Sequence, residues 1–241
     1  IDDFVEAIGN IYDCYKNRDH IDGIAMGLPG QVDIENGIVY GGGGIRYMHN
    51  VHLMDLVSRR CDDVRVSLEN DGKCAALAEV WLGNAKDVDD AYVLVFGTGI
   101  GGAMVKDRRI HRGKHLLAGE VSYGFHYAKK KGLPFEEVTG EKIYQWAGEG
   151  DEDARDMLEE MYFSIAKQCC NLYVIYNPEV ILIGGGISAE PAFIEGIQRY
   201  IDQIKPLSMV FNDIRIDVCK FRNDSNLLGA LYNFKQIYEE V

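Results

Sequence analysis

Two short apolar runs, each halted by a cluster of glycines, constrain this chain more than any other feature. Tyr92-Val93-Leu94-Val95-Phe96 runs into Gly97-Thr98-Gly99-Ile100-Gly101-Gly102, and Val180-Ile181-Leu182-Ile183 runs into Gly184-Gly185-Gly186. Apolar runs of this length bounded by glycine read as strands, the first of them buried. Residues 103–105 read as the returning arm of a hairpin around Gly97–Gly102. Further strands are expected at 21–26, 64–68 and 214–218, with Gly27-Leu28-Pro29-Gly30 as a turn. Between them lie helical stretches at 71–82, 152–176, 191–204 and 226–238. Residues 2–17 read as an amphipathic helix, because Phe4, Ile8, Ile11 and Tyr15 stand three or four apart. Strands alternating with helices argue for an α/β fold with largely parallel sheets. Two lobes with a cleft suit the glycine placement, since ligands of open α/β sheets collect at strand ends.

Composition narrows the class. At a typical ~150 residues per domain, 241 residues allow one large domain or two lobes. Apolar residues at 47% and charged residues at 26% exclude a disordered chain. Six cysteines are too sparse for a disulfide-stapled miniature, none forms C-x-x-C, and Cys169 and Cys170 are adjacent. They read as reduced, partly buried thiols of a cytoplasmic protein. The net charge of −13 repels phosphate backbones, so nucleic acid is not expected as a partner. Nucleotides are still admissible, because they bind through local backbone N–H groups and a metal ion. No apolar run approaches the ~20 residues of a membrane helix, so no membrane partner is expected. The first residues, IDDFVEAIGN, show neither a basic segment nor a cleavage-like end.

Four short segments have chemistry to offer. Four glycines in the six residues from Gly97 to Gly102 let several N–H groups point one way, with the Thr98 hydroxyl beside them. This is either a phosphate cradle or a plain hairpin turn. It is neither the dinucleotide fingerprint nor a P-loop, because no Gly-Lys-Ser/Thr follows. Glu69-Asn70-Asp71 stands between a strand and a helix. Asp71 there is either a helix cap or a general base kept ionised by the helix dipole, with Asn70 bonding a hydroxylated ligand. Glu120 follows the small residues Ala118 and Gly119, and is either a solvated loop residue or a ligand contact. Gly184-Gly185-Gly186 either lets a flat ring or ribose press on the backbone, or allows tight strand-to-helix packing. His111 and His115 stand four apart with Gly113 between them and no third ligand nearby, so no zinc site is expected.

In combination and in order, these segments resemble the ROK family of sugar kinases and sugar-responsive regulators. Residues 25–33, AMGLPGQVD, resemble the family's G-[IV]-x-x-P-G-x-[VI]-D, with Gly37 in its usual place. Glu69-Asn70-Asp71 with Ala75 and Ala76 resembles E-N-D-A-N-A-A-A. Residues 96–102 resemble the second phosphate loop, and Ala118-Gly119-Glu120 the A-G-E of the sugar-binding segment. Gly184-Gly185-Gly186 resembles the adenosine-side glycines, and Leu227-Leu228-Gly229-Ala230 the closing helix.

The resemblance implies an actin-like (RNase H-like), two-lobed sugar kinase fold. Residues 1–82 with 225–241 would form an amino-terminal lobe, and 83–224 the carboxy-terminal lobe. It implies ATP-dependent phosphorylation of a hexose or glycoside, with magnesium arriving on ATP. Asp71 would be the base. Asn70, Glu120 and Tyr123 would hold the sugar, Gly97, Thr98, Gly99 and Gly101 the phosphates, and Gly184 and Gly185 the adenosine. A cytoplasmic homodimer with a small-molecule sugar as its partner is implied. The alternative within the family is a sugar-binding regulator or pseudokinase without turnover.

Three departures qualify the resemblance. The opening hairpin D-x-G-G-T, the first phosphate loop, is not among these 241 residues. The first strands of the amino-terminal lobe are therefore expected to be absent, a sheet edge exposed, and kinase activity of the 241 residues slight. The zinc motif C-x-C-G-x-x-G-C is replaced around residues 127–134, YAKKKGLP, which carry no cysteine. The histidine of G-E-I-G-H is Tyr123. The last two changes agree, and they resemble the zinc-free branch of β-glucoside and generic sugar kinases, so no zinc is expected.

Overall fold

A computed structural model describes residues 1–97, 100–121 and 140–239. In chain order it contains α1 (Asp2–Lys16), β1 (Gly23–Leu28), β2 (Gln31–Asp33), β3 (Ile38–Gly41), α2 (Leu53–Arg60), β4 (Arg65–Asn70) and α3 (Asp71–Leu82). Next come β5 (Ala91–Phe96), β6 (Ile100–Lys106), β7 (Arg109–His111), α4 (Gly140–Gly148) and α5 (Glu152–Tyr176). Then follow β8 (Val180–Gly185), α6 (Pro191–Ile204), β9 (Ile216–Val218) and α7 (Ser225–Tyr238).

The two apolar runs form the centre of a five-stranded sheet in the order β7-β6-β5-β8-β9. β5, β6 and β7 are an antiparallel meander, whereas β8 pairs parallel to β5, from Ala91↔Val180 to Phe96↔Gly185. A parallel pair needs a crossover, and α5 supplies it. The Asp151 carboxylate caps that helix, accepting from the Ala154 N–H at 3.1 Å, and left-handed Asn177 ends it. Side chains alternate across the sheet. Tyr92, Leu94, Ile181 and Ile183 meet Ile143, Met157, Ile165, Phe193 and Ile197 from α4, α5 and α6. Val93, Val180 and Leu182 meet Leu77 and Val80 of α3 on the other face. Both faces are covered, which is why these strands are continuous apolar runs.

A second core lies around the two-stranded parallel sheet β1-β4 and the hairpin β2-β3. It comprises Leu28, Val32, Val39, Met48, Leu53, Val57, Val66 and Leu68. Helix α7 ties this core to the large sheet. Its Asn233 Nδ2 donates to the Leu68 carbonyl at 3.1 Å and its Tyr238 hydroxyl to the Val66 carbonyl at 2.8 Å. Its Tyr232 ring stacks on Trp81 with centroids 5.1 Å apart.

The sequence expectations hold for every long element. They differ at short ones. β1 runs through Gly27 and Leu28, because these pair with Glu69 and Asn70, so the turn shrinks to Pro29 and Gly30. β6 already begins at Ile100, inside the expected turn. β2, β3, β7, α2 and α4 were not anticipated; three to nine residues are too few to display a period. Among the described residues, no helix is long and apolar enough to cross a membrane.

Helix α3 crosses α7 at Gly229, where a Cβ would lie 1.8 Å from the Cys74 carbonyl oxygen. Backbone cannot yield as a side-chain tip can. Gly229→Ala should therefore destabilise by about 1–3 kcal/mol or more, the usual result of overpacking. Urea unfolding measures this; an unchanged midpoint would show that the two helices separate without cost.

Candidate active site

The site is built where β4 becomes α3. Asn70 is the helix cap: its Oδ1 accepts the Lys73 N–H at 3.1 Å. Its amide nitrogen donates to the Gly30 carbonyl at 3.0 Å and to Asp71 Oδ1 at 3.2 Å. The cap is thus Asn70, and Asp71 is the first helical residue, exposed at the helix tip. Asp71 Oδ1 also accepts the Gly72 N–H at 2.8 Å. Loss of water to the surrounding protein pushes its carboxyl above the usual value. The Gly72 N–H, the Lys73 charge and the Asn70 amide oppose that push.

Glu69, just before the cap, is wholly buried. Its Oε1 accepts the Asn70 N–H at 2.9 Å and its Oε2 is paired with the Arg112 guanidinium. Arg112 follows β7, so this pair fastens the β4 end to the large sheet. Gln31 Nε2 makes a second tie, donating to the His115 carbonyl at 3.1 Å.

Glu120 reaches the same place along a separate path. Gly119 has φ +96°, and its carbonyl accepts the Tyr92 hydroxyl at 2.6 Å. A Cβ on Gly102 would stand 2.1 Å from that carbonyl, so glycine at 102 lets the segment lie against β6. Glu120 Oε1 then stands 3.8 Å from the Lys73 ammonium, which is buried in α3. Burial pushes the Glu120 carboxyl up, the Lys73 charge pulls it down, and the Asp71 charge pushes it up again.

The glycine turns border this group. A Cβ on Gly72 would lie 3.5 Å from the Gly102 nitrogen and 3.8 Å from the Gly101 Cα, so the tip of α3 abuts the start of β6. Gly97 directly follows β5, whose last residue, Phe96, pairs with Gly185. Gly184 and Gly185 are demanded by the fold itself. A Cβ on Gly184 would meet Cys219 Sγ at 2.8 Å. One on Gly185, at φ +93°, would meet the Phe96 carbonyl at 2.0 Å. At Gly186 a Cβ would meet nothing within 4 Å, so this is the glycine whose face is open.

The structure therefore brings Asn70, Asp71, Glu120 and Gly101 together, with Gly97, Gly184 and Gly185 on neighbouring strand ends. Thr98, Gly99 and Tyr123 lie outside the described residues, as does the segment 127–134. Sequence reasoning missed Lys73 and Arg112. A lysine in an otherwise apolar helical stretch was a signal for the first; nothing local marks the second. Among the described residues, no group of three His, Cys, Asp or Glu side chains is placed to hold a metal ion.

With this geometry in place, comparison with known proteins is specific. The ROK family model matches residues 2–133 and 124–237. The chain is 33% identical over 246 residues to the β-glucoside kinase of Listeria monocytogenes, covering 92% of this chain and 81% of that enzyme. It is 30% identical to the β-glucoside kinase of Klebsiella pneumoniae, covering 90% of this chain and 79% of that enzyme. A ROK family protein from Streptococcus pneumoniae TIGR4, crystallised in complex with sucrose, superposes with a TM-score of 0.82 at 30% identity, over 96% of this chain and 86% of that one. The fold is the actin-like one of the ROK sugar kinases. The chain belongs to the ROK family.

Proposed function

We infer that the protein phosphorylates a sugar hydroxyl with ATP, and that its sugar is a hexose carried as a β-glucoside. The observation that carries the reading is the placement of Asp71. It is a partly desolvated carboxylate at the tip of α3, held by Asn70 and abutting the glycine turn that opens β6. The β-glucoside kinases at 30–33% identity support the sugar class.

Phosphoryl transfer asks little covalent chemistry of a protein; it asks for position and charge stabilisation. Asp71 would accept the proton of the attacking sugar hydroxyl as its oxygen bonds to the γ-phosphorus, while the bond from that phosphorus to the β–γ bridging oxygen breaks and ADP leaves. A base works best with a pKa near the working pH, and burial moves Asp71 in that direction. Asn70, Glu120 and Tyr123 would hold the other sugar hydroxyls. Most of the Asn70 amide is already committed to Gly30, Asp71 and Lys73, so its larger task is to fix the base. N–H groups at Gly97, Thr98, Gly99 and Gly101 would face the phosphates, helped by the positive end of α3. Gly184 and Gly185 shape the strand end on which the adenosine would rest. Magnesium binds chiefly through substrate phosphates and retains waters, which suits a site with no protein-built metal cage among the described residues. Bound with ATP, it would spread charge over the β- and γ-phosphates.

We propose that residues 1–82 with 225–241 form one lobe and 83–224 the other, with α3 and α7 between them. The protein acts in the cytoplasm as a homodimer on a small-molecule sugar, and its charge of −13 disfavours nucleic acid. Zinc has no role, because the 127–134 segment offers no thiol.

A coupled assay of ADP release over a panel of hexoses and β-glucosides, run on the full-length protein, tests the activity. Sugar binding without turnover on any of them would move the chain to the non-catalytic members of its family.

Asp71→Asn should keep sugar affinity and lose about 10²–10⁴-fold in kcat, the usual share of a positioned base. An unchanged kcat would reduce Asp71 to a structural residue. The same variant has a stability signature. The folded-state pKa of Asp71 is raised, so the native state holds this proton more tightly than the unfolded chain does. Its contribution is fully present below the unfolded value of about 3.9 and is lost as pH rises through the folded value. Asp71→Asn should therefore melt higher than wild type at pH 7, with the gap closing toward pH 4. A variant melting lower at both pH values would contradict that sign.

Elemental analysis should find no stoichiometric zinc in active protein. Activity lost to a transition-metal chelator and restored by zinc would be the opposite result.

A further inference from the structure

Lys73 has no part in the mechanism above, yet it lies closest to its charged groups. It sits on the first turn of α3, two residues past Asp71, and is 2% exposed. Burying an ammonium is costly unless an anion answers it. The ionisable groups that feel its charge are Asp71 and Cys74 on α3 and Glu120, and Glu69 from β4 and Arg112 after β7 act on the neighbouring Cys74. Glu69 is taken by Arg112 and the Asn70 N–H. Burial pushes the Cys74 thiol well up, so it stays neutral. Asp71 Oδ1 is engaged by Gly72 and Asn70. Glu120 is left as the main counter-charge, with its Oε1 3.8 Å from the Lys73 ammonium.

We propose that Lys73 is a positioning residue of the sugar site, whose ammonium holds the Glu120 side chain in place as an ionised acceptor for sugar hydroxyls. The proposal rests on the sugar kinase reading. Its physical basis is the crowding of two carboxyl groups. Asp71 and Glu120 raise each other's cost of ionisation, and a neutral residue at 73 would remove the cation that opposes this for both of them. A protonated Glu120 turns part of an acceptor-only carboxylate into a donor. It also forfeits the stronger charge-assisted hydrogen bonds to hydroxyls. The same cation draws against the burial of Asp71, so one lysine keeps the sugar contact and the base in their working forms together.

The test compares Lys73→Met and Lys73→Arg in the full-length protein. In Lys73→Met, KM for the sugar should rise by about tenfold or more, as for loss of a charged hydrogen bond. The effect on kcat should be smaller, and the acid limb of kcat/KM should move up by about one pH unit. Lys73→Arg should recover most of both. A purely structural lysine would lower the melting temperature of Lys73→Met and leave KM and the acid limb where they were, which would overturn the proposal. A measurement on the wild type covers the case in which Lys73→Met does not fold. The carboxyl carbon of Glu120, assigned in NMR spectra through Glu120→Gln, should be ionised at pH 7. A protonated Glu120 at that pH also overturns it. Failure of the wild type to phosphorylate any sugar would overturn the kinase reading, and the NMR titration would still decide the Lys73–Glu120 relation.

Discussion

Helix α3 is buried from Gly72 to Val80, and the rest of the molecule is arranged around that fact. An amphipathic helix can lie on a surface; a helix apolar on nearly every side must be enclosed. Here the enclosure comes from the large sheet on one side and α7 on another. Small residues make it possible, since Ala75, Ala76, Ala78 and the facing Gly229 let backbones approach closely. Each enclosed Leu or Val contributes roughly 1.5–3 kcal/mol. The same contacts fix where the tip of α3 points, and that tip carries Asp71.

Enclosure also draws charge inside. Glu69, Lys73 and Glu79 are all buried on α3 or its lead-in. Each is answered by a different kind of partner: Arg112 for Glu69, Glu120 for Lys73, and three backbone N–H groups for Glu79. The backbone N–H of Asn84 donates to Glu79 at 2.8 Å, that of Lys220 at 2.7 Å and that of Phe221 at 3.3 Å, which ties the segments after α3 and before α7 to the helix. Burial still outweighs those three donors and pushes the Glu79 carboxyl up. Buried ion pairs seldom add much net stability, because desolvation offsets their attraction. Their effect here is geometric: they allow one arrangement of β4, α3 and the 112–120 segment. An active site gains more from that than from stability, because transfer of a phosphoryl group depends on alignment.

The glycines divide in the same way between structure and chemistry. Gly185 and Gly102 are required by backbone contacts at 2.0 and 2.1 Å from a would-be Cβ, whatever binds nearby. Gly186 meets nothing. A glycine cluster read from sequence alone mixes these two demands, and only distances separate them.

The long elements and the α/β class were legible in the sequence, as were the short motifs that carry Asn70, Asp71, Glu120 and the glycine turns. Those features are local, or their order along the chain is distinctive: apolar runs of four and five residues, helices of twelve or more, and short motifs in a fixed succession. Tertiary structure alone decided that Asn70, not Asp71, caps α3. It also decided that β1 continues through Gly27, which happens only because β4 offers Glu69 and Asn70 as partners. The Arg112–Glu69 and Lys73–Glu120 pairs join residues 43 and 47 positions apart, and no periodicity connects them. A buried charge becomes visible only when its counter-charge does, and that requires the chain to be folded.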